Sequence, residues 1–360
     1  MSEPSHAASG APSFSVGRVL LVAVPLALLM WGANRIYSNN VQEQAEQQGR
    51  RRLILGLFGD QDDLTALAPE YQDADGDLLA DSPADDKALD PAELKFSFVA
   101  TSSSDHEQQT WQELLAALSE TLGRKVSLVS YADTAEQLRA LKAGDLHITA
   151  FSTGETPGAV NEAGFIPLVC AANADGDYRI TMKIIVPADS PIKTLDDLKG
   201  RRMTFVRPRS NSGCTAALVM LMDEHDLQPE RDYAWGFSYG HDASIRGIAD
   251  RRFEAAAVAS DILDRMTADG DVQADAIRTV YESEPFPPGV IGYAHNLKSE
   301  LRDKIRQTLL EFEWAGTGVE KEFKPQGAVK FAEVDYKRDW APVRQVREAG
   351  GALLAQLSRP

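Results

Sequence analysis

The segment FVRPRSNSGCTAALVML, residues 205–221, decides the fold because it joins a strand to a helix through a polar turn. Backbone N–H groups at a helix start lack intrahelical partners, and the helix dipole adds roughly half a positive charge there. Ser210 and Ser212 add hydroxyl donors beside Asn211, and Gly213 allows close approach. The turn therefore predicts a nest for an oxyanion such as a phosphonyl group. Capping of the helix by Ser210 or Ser212 is the competing interpretation.

Strands and helices alternate twice around this turn, which is typical of α/β sheets with parallel strands. The first run begins at LKFSFVA and reaches LHITAF, and the second extends from RITMKIIVPADSPI to FEAAAVAS. The chain then turns back along RTVYESEPFPPGVIGYA and continues in helices. This order predicts two α/β lobes joined by a hinge with more than one crossing. We place the first part of lobe 1 at 94–186, lobe 2 at 187–286, and the return to lobe 1 with the C-terminal helices at 287–360.

An apolar segment near the N-terminus predicts an exported protein. Residues 1–18 form a polar tail, and VLLVAVPLALLMWGA lies within the apolar segment 19–36. Its length falls between a signal-peptide core and a full membrane span, and no A-x-A cleavage site follows. An uncleaved membrane anchor is therefore favoured over a removed signal. Arg35 and residues 50–52 follow this segment, and the positive-inside rule would place the chain after it in the cytoplasm. The rest of the chain has the character of an exported domain, so we place it outside the cytoplasm.

The formal net charge of −17 argues against general binding to nucleic acid or to anionic membrane surfaces. A small anion in one local pocket remains compatible with this charge. Two interpretations of Arg207 and Arg209 stay open, added charge at the anion site or solvated residues at a strand end, so neither is included in the expected site. Cys170 and Cys214 are too few and too widely spaced for a disulfide scaffold or a zinc site. A bridge between them would lock the two lobes together, so we expect free or buried thiols.

Residues 37–93 are predicted to form a polar stalk and an Asp-rich linker, because large apolar residues are scarce in the second part. Within it, DADGDLLAD places acids at alternating positions, as calcium loops do. Leu78 stands where such loops carry glycine, and no Glu occupies the twelfth position. A solvated acidic linker is therefore favoured, calcium is the alternative, and no other cofactor is expected. The candidate calcium ligands are Asp73, Asp75, Asp77 and Asp81.

Residues 95–345 resemble the periplasmic substrate-binding proteins of phosphonate, phosphite and phosphate ABC transporters. The resemblance rests on the order of its parts: FSFVATSSSDHEQQTWQELLAALSETLGRKV, LRALKAGDLHITAF, IIVPADSPIKTLDDLKGRRMTFV, SNSG, GHDASIRGIADRRFEAAAVASDIL and PFPPG. It implies a type II periplasmic-binding-protein fold whose lobes close over an anionic ligand without catalysis. It also implies a periplasmic location, here with a tether to the inner membrane, and delivery of the ligand to an ABC permease.

The resemblance also implies which residues contact the ligand. The SNSG turn matches the family's Ser-Thr-Ser-Gly segment, and His241 matches a ligand-facing histidine that donates to an oxyanion. A hydroxyl-rich loop precedes the first helix, and polar residues follow the third strand at its carboxyl end, where α/β sheets bind ligands. Simple turns and local hydrogen bonds are the competing interpretations. The expected ligand-binding residues are Ser102, Ser103, Ser152, Thr153, Ser210, Asn211, Ser212, Gly213, His241 and Asp261.

Four positions are compared with the aminophosphonate-binding members of that family. Thr134 and Phe151 occupy the first-lobe aromatic positions, Asp261 occupies one acidic position, and Gly289 falls near the other. A buried ligand ammonium group needs paired acids, because an unpaired charge costs several kcal/mol. We therefore expect phosphite, phosphate or a small alkylphosphonate rather than 2-aminoethylphosphonate.

Two function classes compete with transport. A membrane-anchored sensory or partner-recruiting module with the same ligand-binding fold would fit the anchor and the acidic arm. An enzyme is disfavoured, because the sequence contains no G-x-S-x-G, H-E-x-x-H or P-loop motif. The sequence therefore favours an extracytoplasmic solute-binding protein.

Overall fold

The computed structural model describes Trp31, Arg35 and residues 44–57, 66–98 and 104–357. The chain divides into two compact units, Met1–Gly49 and Arg50–Pro360. The described residues of the first unit are helical, and the Arg35 guanidinium carbon lies 5.3 Å from the centre of the Trp31 ring. Apart from these two residues, the expected anchor at 19–36 lies outside the described residues. Within the described part of the chain, every helix is too short or too polar to cross a bilayer.

The second unit contains eleven strands among the described residues, arranged in two sheets. The strands are β1 Leu94–Ser97, β2 Val126–Leu128, β3 Ile148–Phe151, β4 Phe165–Ala172, β5 Met182–Pro187, β6 Arg202–Phe205, β7 Ala234–Phe237, β8 Ala255–Ala259, β9 Ile277–Glu282, β10 Val290–Ala294 and β11 Lys330–Glu333. The helices are α1 (residues 50–57), α2 Ser104–Leu122, α3 Thr134–Ala143, α4 Thr156–Ala163, α5 Ala216–Asp223, α6 His241–Ala249, α7 Ser260–Ala268, α8 Ser299–Glu311, α9 Gly318–Phe323, α10 Tyr336–Asp339 and α11 Ala341–Leu357.

The first lobe is built on a six-stranded sheet with the strand order β11-β4-β10-β3-β1-β2. Strand β1 pairs in parallel with β2 and β3, whereas β10 and β11 are antiparallel to their neighbours. Trp111, Leu114 and Leu118 recur at helical spacing and bury one face of α2 in the core. Helix α3 begins at Asp133, whose side chain accepts the Glu136 N–H, and ends at Gly144 in the left-handed conformation.

The second lobe is built on a five-stranded sheet with the strand order β7-β6-β8-β5-β9. Strand β8 (AAAVA) is buried along its whole length, with β6 parallel and β5 antiparallel to it. Both sheets are therefore mixed, since each contains parallel and antiparallel strand pairs. The chain changes sheet between Ala172 and Met182 and returns between Glu282 and Val290, so the expected first boundary at 186 falls inside β5. Helix α11 packs against α5 of the second lobe.

Residues 66–93, which were expected to form an acidic linker, make hydrogen bonds and ion pairs with the first lobe. The Leu89 N–H donates to the Asn296 carbonyl at 2.7 Å, and the Lys298 N–H donates to the Leu89 carbonyl at 3.0 Å. The Asp90 carboxylate pairs with Arg124 and Lys298, each at 2.7 Å. Main-chain hydrogen bonds and ion pairs hold this segment. Such contacts do not require a pattern of hydrophobic residues, so the sequence gives no indication of them.

Candidate functional site

The SNSG turn begins the helical segment that follows β6 in the second lobe. Residues Asn211–Thr215 form one π-helical turn that continues directly into α5. The Gly213 N–H donates to Ser210 Oγ at 3.1 Å, so Ser210 caps the turn. The Ser210 hydroxyl proton is not used by this bond and can still be donated to a ligand. Asn211 and Ser212 are buried, and Asn211 Oδ1 has no hydrogen-bond partner among the described residues.

Gly213 has a packing role in addition to the expected one of admitting a ligand. A Cβ atom at this position would lie 2.5 Å from Val206 Cβ and 2.8 Å from Ser210 Oγ. The Val206 N–H also donates to the Gly213 carbonyl at 2.7 Å. The missing side chain therefore lets the turn pack against its own lobe, and ligand approach at Gly213 stays a prediction.

Two polar loops meet where the lobes touch. Gly154 follows β3 in the first lobe, and a Cβ atom there would lie 2.5 Å from the Arg209 carbonyl and 3.3 Å from the Asn211 nitrogen. Arg209 itself has a φ of 65°, an uncommon conformation for a side chain other than glycine. The helix start in the second lobe therefore lies directly beside the β3–α4 loop of the first.

The hydroxyl groups of that first-lobe loop have partners within the protein. Ser152 Oγ donates to Glu155 Oε2 at 2.6 Å, and Thr153 Oγ1 donates to the Pro287 carbonyl at 2.9 Å. Thr134 Oγ1 donates to the other Glu155 oxygen at 2.7 Å. These bonds agree with the turn interpretation of the loop, since each hydroxyl proton is already used. Ser102 and Ser103 lie outside the described residues.

His241 is the first residue of α6 and is held by the main chain. Its Nδ1 accepts the Ala259 N–H at 3.1 Å, which assigns the proton of the neutral ring to Nε2. Burial lowers the pKa of His241 to about 4, with the Arg207 charge contributing and Asp242 opposing. His241 is therefore a neutral hydrogen-bond donor near neutral pH.

Asp261 lies in the first turn of α7, close in sequence to the partner of His241. Its Oδ1 is buried and has no hydrogen-bond partner among the described residues. Burial raises the pKa of Asp261, with main-chain hydrogen bonds from Ile262 and Asp261 opposing. A buried oxygen without a partner carries a desolvation cost, which a donor on a bound ligand would relieve.

A cavity of about 570 Å³, here called the interlobe cavity, lies between the two lobes. Asp261 and Ser260 line it from the second lobe, whereas Phe98 and Phe331 line it from the first. Gly289 also lines it, and a Cβ atom at Gly289 would lie 3.3 Å from the Phe151 carbonyl. The Phe151 ring itself is buried in the first-lobe core, where it packs edge-on against Phe165 at 4.9 Å.

The structure brings only part of the expected set to this cavity. Asp261 lines it, and His241 accepts the N–H of Ala259, the residue before the lining residue Ser260. None of the described residues of the SNSG turn lines the interlobe cavity. Asn211 lines a smaller cavity of about 320 Å³ between α5 and α11. Sequence reasoning missed the aromatic wall of Phe98 and Phe331, because residues in apolar strand segments are indistinguishable from core residues in a single sequence.

The Asp-rich loop gathers three of its four candidate ligands. Carboxylate oxygens of Asp73, Asp75 and Asp77 lie within 4.8 Å of one another. Asp81 is not in this group, and its Oδ2 accepts the Ala74 N–H at 3.0 Å. Burial raises the pKa of Asp77, and the neighbouring carboxylates raise it further. Three carboxylates suit a hard cation such as Ca²⁺, and calcium binding here stays a prediction.

Cys170 and Cys214 are both free and buried, as the sequence predicted. Burial raises the pKa of both thiols well above its ordinary value. Neither thiol is therefore a reactive group under ordinary conditions.

Comparison with known proteins agrees with this fold. Residues 96–340 match the family model of the periplasmic substrate-binding protein of phosphonate ABC transporters. The phosphonates-binding periplasmic protein of Escherichia coli K12 is 23% identical over 235 residues, which cover 64% of this chain and 69% of that protein. The chain therefore belongs to the family of periplasmic substrate-binding proteins of phosphonate ABC transporters.

Solved structures confirm the two-lobed fold. A binding-protein component of a phosphonate ABC transporter from Pseudomonas aeruginosa superposes with a TM-score of 0.58 at 18% identity, covering 74% of this chain and 95% of that one. A Prochlorococcus marinus protein solved in complex with methylphosphonate gives a TM-score of 0.57 at 17% identity, covering 73% and 99%.

Proposed function

We propose that this protein captures a phosphorus oxyanion, such as phosphite, phosphate or a small phosphonate, between its lobes and delivers it to an ABC permease. One observation carries the proposal: the helix start at Ser210–Gly213 lies at the lobe boundary, where Gly154 packs against Arg209 and Asn211. An anion bound there touches both lobes, so binding favours the closed arrangement.

The electrostatics of this region suit an anion despite the acidity of the whole chain. Arg207 and Arg209 form no ion pair with any residue that the structure describes, so their charge is available to a ligand. His241 contributes a neutral Nε2–H donor. The Ser210 hydroxyl and the first N–H groups of the turn contribute further donors. An oxyanion requires hydrogen-bond donors that are not already paired with a carboxylate.

Asp261 supports a preference for ligands that carry a proton. Its buried Oδ1 needs a hydrogen-bond donor, and a P–OH group of a singly ionised ligand supplies one. Gly289 offers no second carboxylate at the position expected for a ligand ammonium group. The proposed ligands therefore do not include 2-aminoethylphosphonate.

The remaining parts of the proposal concern location and chemistry. Family membership supports an extracytoplasmic protein whose role is binding rather than catalysis. The apolar segment 19–36 would tether it to the cytoplasmic membrane. Resistance of the protein to extraction from membranes at alkaline pH tests the tether, and release into the soluble fraction would contradict it.

The experiment is calorimetric titration of the full chain with phosphite, phosphate, methylphosphonate, 2-aminoethylphosphonate and sulfate. We expect micromolar or tighter binding of at least one phosphorus oxyanion, weaker binding of sulfate, and a loss of about tenfold or more in Ser210→Ala. Asp133→Ala is the matched control, because it removes a helix cap in the first lobe, far in sequence from the site. No binding across the phosphorus compounds would contradict the proposal.

A further inference from the structure

The first-lobe wall of the interlobe cavity is apolar. Strands β4, β10 and β11 and the end of β1 present this wall, and no charged side chain interrupts it among the lining residues of these four elements. The opposite face is α7, which presents Ser260, Asp261, Asp264 and Arg265. The first-lobe wall comprises only Phe98, Val169, Ala171, Ile291 and Phe331. Polar or charged residues also line the cavity beside it, namely Asn173, Asp177, Arg179 and Gln326.

The cavity persists although the lobes already touch. Gly154 of the first lobe packs against Arg209 of the second, and the 3-10 turn Lys324–Gln326 contacts α7. The lobes are therefore in contact around a space of about 570 Å³ that is partly open to solvent.

This volume exceeds what a small inorganic oxyanion occupies. Cavities that bind organic ligands typically measure about 300–1,000 Å³ and are lined mainly by apolar side chains. Phosphite or methylphosphonate would fill a small part of the space and leave the phenylalanine wall facing water. Covering such a surface with an apolar group is favourable in proportion to the area covered.

The oxyanion region and the cavity adjoin at two points. Gly289 lines the cavity and packs beside Ser152, which is two residues from Gly154, the loop residue beside Arg209 and Asn211. Ser260 lines it and directly follows Ala259, which is bonded to His241. A substituent on an oxyanion held near His241 would therefore extend into the cavity.

We propose that the preferred ligand is an organophosphonate or phosphate monoester whose substituent is an apolar ring or chain. The substituent packs against the first-lobe wall, and the oxyanion occupies the donor-rich region of the second lobe. Ala171 and Phe331 then determine specificity by setting the depth and the chemistry of the wall. This inference rests on the proposed function and narrows its ligand class.

Calorimetry with methylphosphonate and phenylphosphonate tests the inference on the full chain. The two ligands share the oxyanion and differ in apolar area, so we expect phenylphosphonate to bind about tenfold more tightly or better. Ala171→Leu fills the cavity beside the wall and should remove this difference while methylphosphonate binding is retained. Ala349→Leu is the control, because Ala349 lines the smaller cavity between α5 and α11.

The outcomes separate the inference from the proposed function. Equal affinities, or weaker binding of phenylphosphonate, would overturn the inference and leave oxyanion binding standing. A loss of the phenylphosphonate preference in Ala349→Leu as large as in Ala171→Leu would also overturn it. Failure of both ligands and of every inorganic phosphorus oxyanion to bind would overturn the proposed function as well.

Discussion

The two lobes present different chemistry to the space between them. The second lobe contributes a helix start, a neutral histidine and a buried carboxylate oxygen without a partner. The first lobe contributes phenylalanine and aliphatic side chains, and the hydroxyls of its β3–α4 loop are bonded within the protein. We propose from this difference that the second lobe recognises the anion and that the first lobe selects what is attached to it.

The comparison also shows why polar residues alone are a poor guide to a binding site. Ser152 and Ser210 both lie in polar loops at strand ends, yet Ser152 gives its proton to Glu155, whereas Ser210 accepts a main-chain N–H. Only the second arrangement leaves a hydroxyl proton for a ligand. The chemistry of each hydroxyl therefore depends on which bond the fold has already made.

The largest expected effect concerns the packing of the SNSG turn. Gly213→Ala places a Cβ atom 2.5 Å from Val206 Cβ, so we expect a loss of about 3 kcal/mol in the free energy of unfolding. Urea denaturation measures it. Gly56→Ala is the control, because a Cβ atom there meets nothing within 4 Å. If Gly213→Ala were as stable as the parent and only lost ligand, the glycine would serve ligand approach after all.

The second prediction concerns the pH dependence of stability. The folded-state pKa of His241 is about 4, below its ordinary value of 6.5, so the unfolded chain binds more protons between these values. Stability should therefore rise with pH across this window, by on the order of 2 kcal/mol from His241, and its contribution should be complete above pH 6.5.

Burial lowers the pKa of His147 and His295 as well, so the parent must be compared with His241→Asn. Thermal unfolding of both proteins at pH 5 and pH 7 isolates the contribution of His241. An identical change with pH in the two proteins would show that His241 is not a buried neutral ring.

The smallest expected effect concerns Asp261. Because its pKa is raised, the folded state binds more protons than the unfolded state, and stability falls as pH rises above the ordinary value of 3.8. Asp261→Asn removes this charge, so we expect a gain of about 1 kcal/mol at pH 7 together with weaker ligand binding. Chemical denaturation at pH 5 and pH 7 checks the gain.

Asp264→Asn provides the matched control on the same helix. Its side chain is 69% exposed and lies 3.7 Å from Lys183, so its removal should change stability by less than about 0.5 kcal/mol. A loss of stability in Asp261→Asn at neutral pH would contradict the account, because it would mean that the carboxylate has a stabilising partner in the free protein.

The two-lobed fold and the position of the SNSG turn could be predicted from the sequence. Alternating strands and helices and the apolar run after Gly213 are local patterns, and the structure confirms a helix start there. The two buried, free cysteines followed from the same reasoning, since a bridge would have joined different lobes.

Contacts between distant residues could not be predicted in this way. Phe98 and Phe331 are far apart in sequence, and only the fold places both on the wall of one cavity. Main-chain carbonyls accept the hydrogen bond from Thr153 to Pro287 and bonds that hold residues 66–93. Every residue has such a carbonyl, so the sequence does not show which ones are used. Gly213 is an example, since it packs closely against Val206, which is seven residues away. Nothing in the sequence indicates this contact.

A crystal structure of the full chain with methylphosphonate would test the central claim most directly. The account predicts that the phosphonate lies between the lobes, with its oxygens within hydrogen-bond distance of Ser210 Oγ and His241 Nε2 and its methyl group towards the interlobe cavity. A phosphonate bound in the smaller cavity between α5 and α11, or on the surface of one lobe alone, would contradict it.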